Sequence, residues 1–288
     1  MEFPVRSLSA QESRVVLALI EQGRCDVTRK EIIHILGGTP KAADAVINAL
    51  RKKGWLERAT WGKYLIVPPE QGPDALGDSN LLALASRVAD PYYIGFGTAA
   101  THYGLTTQHR SVIFLVTPAK LRNRSVGEAD LRIINQTAKK FFGFEPVDVL
   151  GQKVMMSDRE KTVLDCIDHP ELAGGIGEAA AILANASRRF DWTKAASYVD
   201  RFGSSPLPHR LGWLLDHIKA DVPPDVRAHL LDLSTRTRKT WLGPDPARAR
   251  AAHAMGFDET WRLLVNVSAE ELSGSAGLGQ RKTIRKDR

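Results

Sequence analysis

The chain has 288 residues, 43% of them hydrophobic, with a formal charge of +7 and a pI near 9.5. This length suits two domains, the hydrophobic fraction excludes a disordered chain, and the positive charge favours an acidic polymer as partner. The two cysteines, Cys25 and Cys166, lack the spacing of a disulfide framework or a metal knuckle, and no segment approaches the ~20 apolar residues of a membrane span. We expect a cytoplasmic protein that binds no membrane, metal or cofactor.

Residues 9–68 predict three helices followed by a two-stranded ribbon. The segments SAQE at 9–12 and TRKE at 28–31 are capping boxes, in which a hydroxyl and a carboxylate satisfy free amides ahead of an apolar run. Glycines end the first two helices. Thr39 caps the third helix, and Pro40 occupies its first position. Each helix therefore has its own start signal.

The third helix is amphipathic. Its apolar residues recur at i, i+3, i+4 and i+7 and share one buried face: Ala43, Val46, Ile47 and Leu50. The opposite face carries Lys41, Asp44, Asn48 and Arg51. Lysine and arginine pair with phosphates or guanine edges, and asparagine bonds to adenine, so this polar face suits the major groove of DNA.

After the third helix, residues 55–58 and 63–67 predict two strands joined by a wing at 59–62. This order is typical of a winged helix-turn-helix, which usually binds double-stranded DNA. We expect Lys41 and Asn48 to contact bases. We expect phosphate contacts from Thr28, Arg29, Lys30, Arg58 and Lys63. The other candidate DNA-binding residues are Thr39, Asp44, Arg51, Lys52 and Trp61.

Two alternatives remain open for this segment. A basic helix face is often simply solvated, and Trp61 can fold back onto its own domain. Winged helices also serve as protein-interaction modules.

A concentration of proline and glycine predicts a linker at residues 69–75, between a winged-helix domain at 1–68 and a second domain at 76–275. Strands are predicted at 111–117, 131–134, 147–150 and 153–156. Beyond Ser157 the chain predicts helices almost throughout. The predicted fold class is therefore α+β: an N-terminal winged helix-turn-helix followed by a mixed α/β domain that ends in a helical part. Residues 276–288 predict a basic, flexible tail.

A charged and nucleophilic cluster raises the alternative of a nucleic-acid-processing or protein-modifying enzyme. Its members are Asp158, Glu160, Lys161, Asp165, Cys166, Asp168 and His169. Most of them have a structural explanation, since SDRE at 157–160 predicts a further capping box and Glu160 and Lys161 point to different helix faces. The sequence has no phosphate-binding GxxxxGK[ST] loop. We therefore expect a protein that is not an enzyme.

Several motifs in order resemble those of the AbiEi family. They are KGWL at 53–56, YYIG at 92–95, AATHYGL at 99–105, MSDREKTVLDCIDHPELAGG at 156–175 and HRLGWLLD at 209–216. Members of this family are antitoxins and transcriptional autorepressors of type IV toxin–antitoxin systems. The resemblance implies binding to the protein's own operator, and a C-terminal domain that counteracts a nucleotidyltransferase-like toxin without requiring a stable complex. Repeated operators in the family would accommodate a homodimer on DNA.

Overall fold

The computed structural model describes residues 7–22, 26–60, 62–66, 78–108, 112–126, 129–149, 152–244 and 256–276. The chain falls into two compact units. The first comprises residues 1–93, 111–135 and 146–155, and the second comprises residues 94–110, 136–145 and 156–288. The fold class is α+β, as the sequence predicts. The predicted linker at 69–75 and nearly all of the predicted tail lie outside the described residues, so those boundaries stay predictions.

The first unit begins with three helices whose starts follow the predicted caps. They are α1 (Ala10–Glu21), α2 (Arg29–Leu36) and α3 (Pro40–Lys52). Both predicted capping boxes are present, one at Ser9 and one at Thr28, and the Thr39 hydroxyl caps α3. Gly37 ends α2 with a φ of 62°, a left-handed conformation that glycine adopts without a steric penalty.

A three-stranded antiparallel sheet accompanies these helices. Its strands are β1 (Asp26–Thr28), β2 (Leu56–Thr60) and β3 (Lys63–Ile66), in the order β1-β3-β2. The predicted ribbon corresponds to β2 and β3. The sequence does not predict β1, because its three residues are extended through pairing with the distant β3 and carry no local pattern. Helices and sheet enclose a core that includes Val16, Leu19, Ile32, Ile47 and Leu50.

A six-stranded sheet follows, preceded by α4 (Asp78–Ala85). Its strands are β4 (Tyr93–Ile94), β5 (Val112–Thr117), β6 (Arg124–Val126), β7 (Ala129–Asn135), β8 (Phe144–Val149) and β9 (Gln152–Ser157), in the order β6-β7-β5-β4-β9-β8. The pair β5–β7 is parallel and the pair β6–β7 is antiparallel. All four predicted strand segments coincide with β5, β7, β8 or β9 along most of their length.

The second unit is mainly helical. Its helices are α5 (Phe96–His102), α6 (Arg159–Asp168), α7 (Pro170–Ala173), α8 (Ile176–Ala186), α9 (Trp192–Phe202), α10 (Pro206–His217), α11 (Pro224–Thr235) and α12 (Ala269–Ala276). The expectation of helices almost throughout was wrong in one respect, because β10 (Thr240–Trp241), β11 (Gly256–Asp258) and β12 (Leu263–Val265) form a small sheet in the order β10-β12-β11. These strands are two or three residues long, too short to produce a detectable alternation of polar and apolar residues.

The predicted capping box at 157–160 was also wrong. Asp158 is the N-cap of α6, and its carboxylate accepts a hydrogen bond from the Lys161 amide at 2.8 Å. The Ser157 hydroxyl is instead 2.7 Å from the Thr162 hydroxyl. A carboxylate is the better acceptor at the positive end of a helix, which explains why the cap lies one residue later than predicted.

The core of the second unit surrounds α8, a helix that is buried along most of its length. A helix with small and apolar residues on every side belongs in such an interior. Close packing is also evident where α10 meets Trp261, because a methyl group on Gly212 would approach the Trp261 ring to 2.1 Å. Among the described residues, no helix combines the length and the hydropathy needed to cross a membrane.

Candidate nucleic-acid interface

The two faces of α3 are divided as the sequence predicts. Ala43, Val46, Ile47 and Leu50 are buried in the core. The outer face exposes Lys41, Asn48, Arg51 and Lys52. None of these four side chains forms an ion pair with any residue that the structure describes. Three cationic groups and one amide are therefore available to a ligand on this face.

Asp44 and Arg29, both predicted to contact DNA, pair with each other. The Arg29 guanidinium donates to both Asp44 carboxylate oxygens, at 2.6 and 2.7 Å. The hydrogen bond from Arg29 lowers the pKa of Asp44, so that carboxylate stays ionised. The pair links the start of α2 to the outer face of α3. It also neutralises the carboxylate that α3 would otherwise present to phosphates.

The two predicted threonine contacts are committed to helix caps. The Thr28 hydroxyl donates to the Glu31 carboxylate at 2.7 Å and accepts from the Glu31 amide at 3.2 Å. Thr39 accepts from the Ala42 amide at 3.3 Å. Each hydroxyl therefore has a structural role at a helix start. Lys30, which lies one residue further into α2 than Arg29, is exposed.

The β2–β3 hairpin is fastened to the start of α2. Gly62, with a φ of 75°, accepts a hydrogen bond from the Arg29 amide through its carbonyl oxygen at 2.8 Å. Lys63 follows directly, is exposed, and lies opposite Thr28 in the β1–β3 register. Arg58 on β2 is half-buried. Trp61 lies outside the described residues.

An open cleft beside this hairpin adds two cations that the sequence analysis did not single out, Arg87 and Lys153. Lys153 had a signal in the sequence, because it is the only charged residue of the predicted strand at 153–156, and the structure exposes it on β9. Arg87 follows α4 in a turn and had none. Lys53, the basic residue that directly follows α3, has a structural role instead. Its ammonium is 2.7 Å from the buried Glu12 carboxylate of α1.

The charged cluster around α6, which raised the enzyme alternative, consists largely of side chains that are paired with other residues of the second unit. Lys161 and Asp165 are both fully buried and 2.5 Å apart, one helical turn from each other. The Lys161 ammonium also lies over the rings of Phe142 and Phe202, at 5.2 and 4.5 Å from their centroids. Desolvation lowers the pKa of this ammonium, and Asp165 opposes that effect.

Asp168 has partners from several parts of the chain. Its carboxylate accepts from Lys140 at 2.7 Å and from the Ser204 hydroxyl, while the Arg210 guanidinium donates to its backbone carbonyl at 2.9 Å. His169 lies 3.2 Å from Glu171, and this contact raises the pKa of His169. Two members of the cluster, Cys166 and His169, differ in burial: Cys166 is fully buried, whereas His169 is half-buried.

The carboxylates at the start of α6 also have partners from elsewhere in the second unit. Lys194 of α9 lies 3.1 Å from Asp158 and 2.9 Å from Glu160. Tyr198 donates its hydroxyl proton to Asp158 at 2.8 Å, and burial together with this hydrogen bond raises the pKa of Tyr198 to about 12. Such mutual pairing is typical of a structural network that holds helices together. Within the described parts of the chain, no three His, Cys, Asp or Glu residues are placed to hold a metal ion.

Comparisons with known proteins define the fold alone. No protein-family model and no curated protein matches the chain. The crystal structure of the RV2827C protein from Mycobacterium tuberculosis is similar, with a TM-score of 0.66 and 18% sequence identity. The similarity covers 94% of this chain and 96% of that one. The α+β architecture is thus shared along nearly the whole length of both proteins.

Proposed function

We propose that this protein is a DNA-binding transcriptional autorepressor in which α3 reads the major groove. The observation that carries this proposal is the outer face of α3, where Lys41, Asn48, Arg51 and Lys52 are exposed and unpaired with any described residue. The order of three helices and a β-hairpin supports a winged helix-turn-helix. A formal charge of +7 supports an acidic polymer as ligand.

Each element has a distinct part in this mechanism. Lys41 and Asn48 contact base edges, because they lie in the N-terminal and middle parts of the reading helix. Lys63 on the wing and Lys30 at the start of α2 contact phosphates, since the Gly62–Arg29 hydrogen bond holds these two elements together. Arg29 positions α3 through Asp44 and does not act as an independent phosphate contact.

We further propose that the same protein is the antitoxin of a type IV toxin–antitoxin system. The resemblance of its motifs to the AbiEi family supports this role, and the part of the chain from residue 76 to 275 would counteract a nucleotidyltransferase-like toxin. Neutralisation does not require a stable complex. Repeated operators would bind a homodimer. The charges of α6 are compensated within the helix by the Lys161–Asp165 pair and from outside it by Lys140 and Lys194, which favours a structural role over catalysis.

The decisive test is a gel shift with the upstream DNA of the protein's own gene, titrated with salt and compared with scrambled DNA of equal length. We expect specific retardation that weakens steeply as salt rises, because phosphate contacts release counterions. Equal binding to both DNAs would contradict a repressor, and no binding at low salt would contradict DNA binding altogether.

A growth assay tests the antitoxin role separately. The resemblance to the AbiEi family implies that a nucleotidyltransferase-like toxin is encoded beside this gene, and co-expression of this chain with that toxin should restore growth. A variant lacking residues 1–68 should lose operator binding but retain part of the neutralisation. Survival only with the full-length chain would show that the first domain is also needed for neutralisation.

A further inference from the structure

An open cleft of about 690 Å³ lies within the first unit, beside the β2–β3 hairpin. Three segments line it: Lys63 of β3, the segment that follows α4, and β9. The lining residues are Lys63, Ser86, Arg87, Val88, Ala89, Asp90, Tyr92, Gln152, Lys153 and Met155. The cleft has no assigned role in the reading mechanism described above.

The charged side chains of this cleft favour an anion. Lys63, Arg87 and Lys153 are exposed around it, against a single exposed carboxylate from Asp90. Lys63 and Lys153 form no ion pair with any residue in the described ranges. Tyr92 contributes a hydroxyl that accepts from the Met155 amide at 3.2 Å and so retains its own proton to donate.

The cleft is continuous with the proposed DNA-reading surface. Lys63 belongs to both, since it begins β3 and also lines the cleft. Its neighbour Gly62 is bonded to the start of α2 through the Arg29 amide. A phosphate backbone that contacts the wing at Lys63 would therefore lie at the cleft that Lys153 also lines.

We propose that this cleft binds the phosphate backbone of the DNA that flanks the segment read by α3, with Lys153 as a phosphate contact. This inference rests on the proposed function. A polymer backbone fits better than a small phosphate compound, because small-molecule sites are mostly enclosed and apolar. This cleft is open, and three of the residues that line it are exposed cations.

The test compares Lys153→Ala with Lys120→Ala, a matched control because Lys120 is an exposed lysine of the same unit that does not line the cleft. Affinity for the upstream DNA is measured against salt. One lost phosphate contact should reduce the slope of log affinity against log salt by about 0.9 in Lys153→Ala and leave it unchanged in Lys120→Ala. Both variants should bind a short duplex that ends at the α3 site as the wild type does.

Three outcomes would overturn the inference, and they are distinguishable. If the wild type binds DNA but Lys153→Ala keeps the wild-type slope, the cleft does not contact DNA, while the proposed function stands. If the wild type binds no DNA, the proposed function fails and this inference fails with it. If micromolar pyrophosphate at matched ionic strength displaces the flanking DNA, the occupant is a small phosphate compound.

Discussion

Asn48 and Lys63 are both exposed, and the proposed function gives them different parts because their side chains differ in chemistry. The asparagine amide can bond bidentately to adenine, whereas a lysine ammonium interacts with any phosphate. We expect Asn48→Ala to reduce the preference for operator over random DNA, by about 1–3 kcal/mol if it removes one base contact. Lys63→Ala should weaken binding to both DNAs alike. Equal losses of preference in the two variants, measured by competition gel shift, would contradict this division.

Asp44 carries the only negative charge on the outer face of α3 among the described residues, and Arg29 holds it ionised. We expect Asp44→Asn to strengthen binding to DNA of any sequence, because it removes the carboxylate that neutralises the Arg29 guanidinium and so adds a net positive charge to this surface. Fluorescence anisotropy with random duplexes measures the effect. The matched control is Asp232→Asn, whose carboxylate pairs with Arg236 on α11 in the second unit. Weaker binding by Asp44→Asn would show that the pair is needed to hold α3 in place.

At the scale of single helices, two ion pairs with the same spacing differ in environment. Lys161 and Asp165 on α6 are fully buried, whereas Asp232 and Arg236 are 47% and 69% exposed. Lys161→Met should lower the free energy of unfolding by about 3–5 kcal/mol, because it leaves a buried carboxylate without its partner. Arg236→Ala should lower it by less than about 1 kcal/mol. Urea denaturation compares the two.

The double variant Lys161→Met with Asp165→Leu provides the control for that experiment. Apolar residues of similar volume often replace a buried ion pair without loss. We expect the double variant to recover most of the stability lost by Lys161→Met. A double variant as unstable as the single one would mean that packing around Phe142 and Phe202 requires the ammonium itself.

Gly212 lies inside α10, where substitution by alanine should destabilise the protein although the same substitution stabilises most helices. Replacing an interior helix glycine by alanine usually stabilises by up to about 1 kcal/mol. Here Trp261 is held by a hydrogen bond from its indole nitrogen to Asp216 at 2.7 Å, so its ring cannot yield to the new methyl group. Gly212→Ala should therefore destabilise by about 1–3 kcal/mol in thermal or urea unfolding. Gly38→Ala, where the methyl group would meet only Ala42 at 3.8 Å, should cost little.

At the scale of the whole molecule, two histidines give opposite dependences of stability on pH. Burial lowers the pKa of His209, whose Nδ1 donates to the Trp261 carbonyl at 2.6 Å. The unfolded chain then binds more protons than the folded one at this site, so stability falls as pH drops below about 6.5. The contact with Glu171 raises the pKa of His169, and its stabilisation is present below about 6.5 and lost as pH rises through that raised pKa.

The variant His169→Gln should leave the contribution of His209 to the pH dependence of stability without the opposing contribution of His169. Because it removes the opposing contribution, its free energy of unfolding should fall more between pH 7.5 and 5.5 than that of the wild type. NMR titration of the His209 imidazole supplies an independent measurement, and its midpoint should lie below 6.5, the ordinary histidine pKa. Parallel pH profiles for variant and wild type would contradict the opposition of the two groups.

The sequence by itself determined the starts of α1, α2 and α3, the two faces of α3 and four strand segments of the six-stranded sheet, those in β5, β7, β8 and β9. These features arise from contacts between residues three or four positions apart, or from the alternation along a single strand. Such patterns can be recognised directly from the spacing of residues in the sequence. It also identified the charged cluster around Lys161, although it placed the cap of α6 one residue early.

Only the tertiary structure decided which charged groups are available to a ligand. Arg29 and Asp44 are 15 residues apart in sequence, and Lys53 and Glu12 are 41 apart, so no local sequence pattern predicts that they pair. The cleft is likewise assembled from β3, a turn after α4 and β9. A charge can bind DNA only if the fold leaves it without a closer partner. The partner of a side chain is set by long-range packing, which the order of neighbouring residues does not encode.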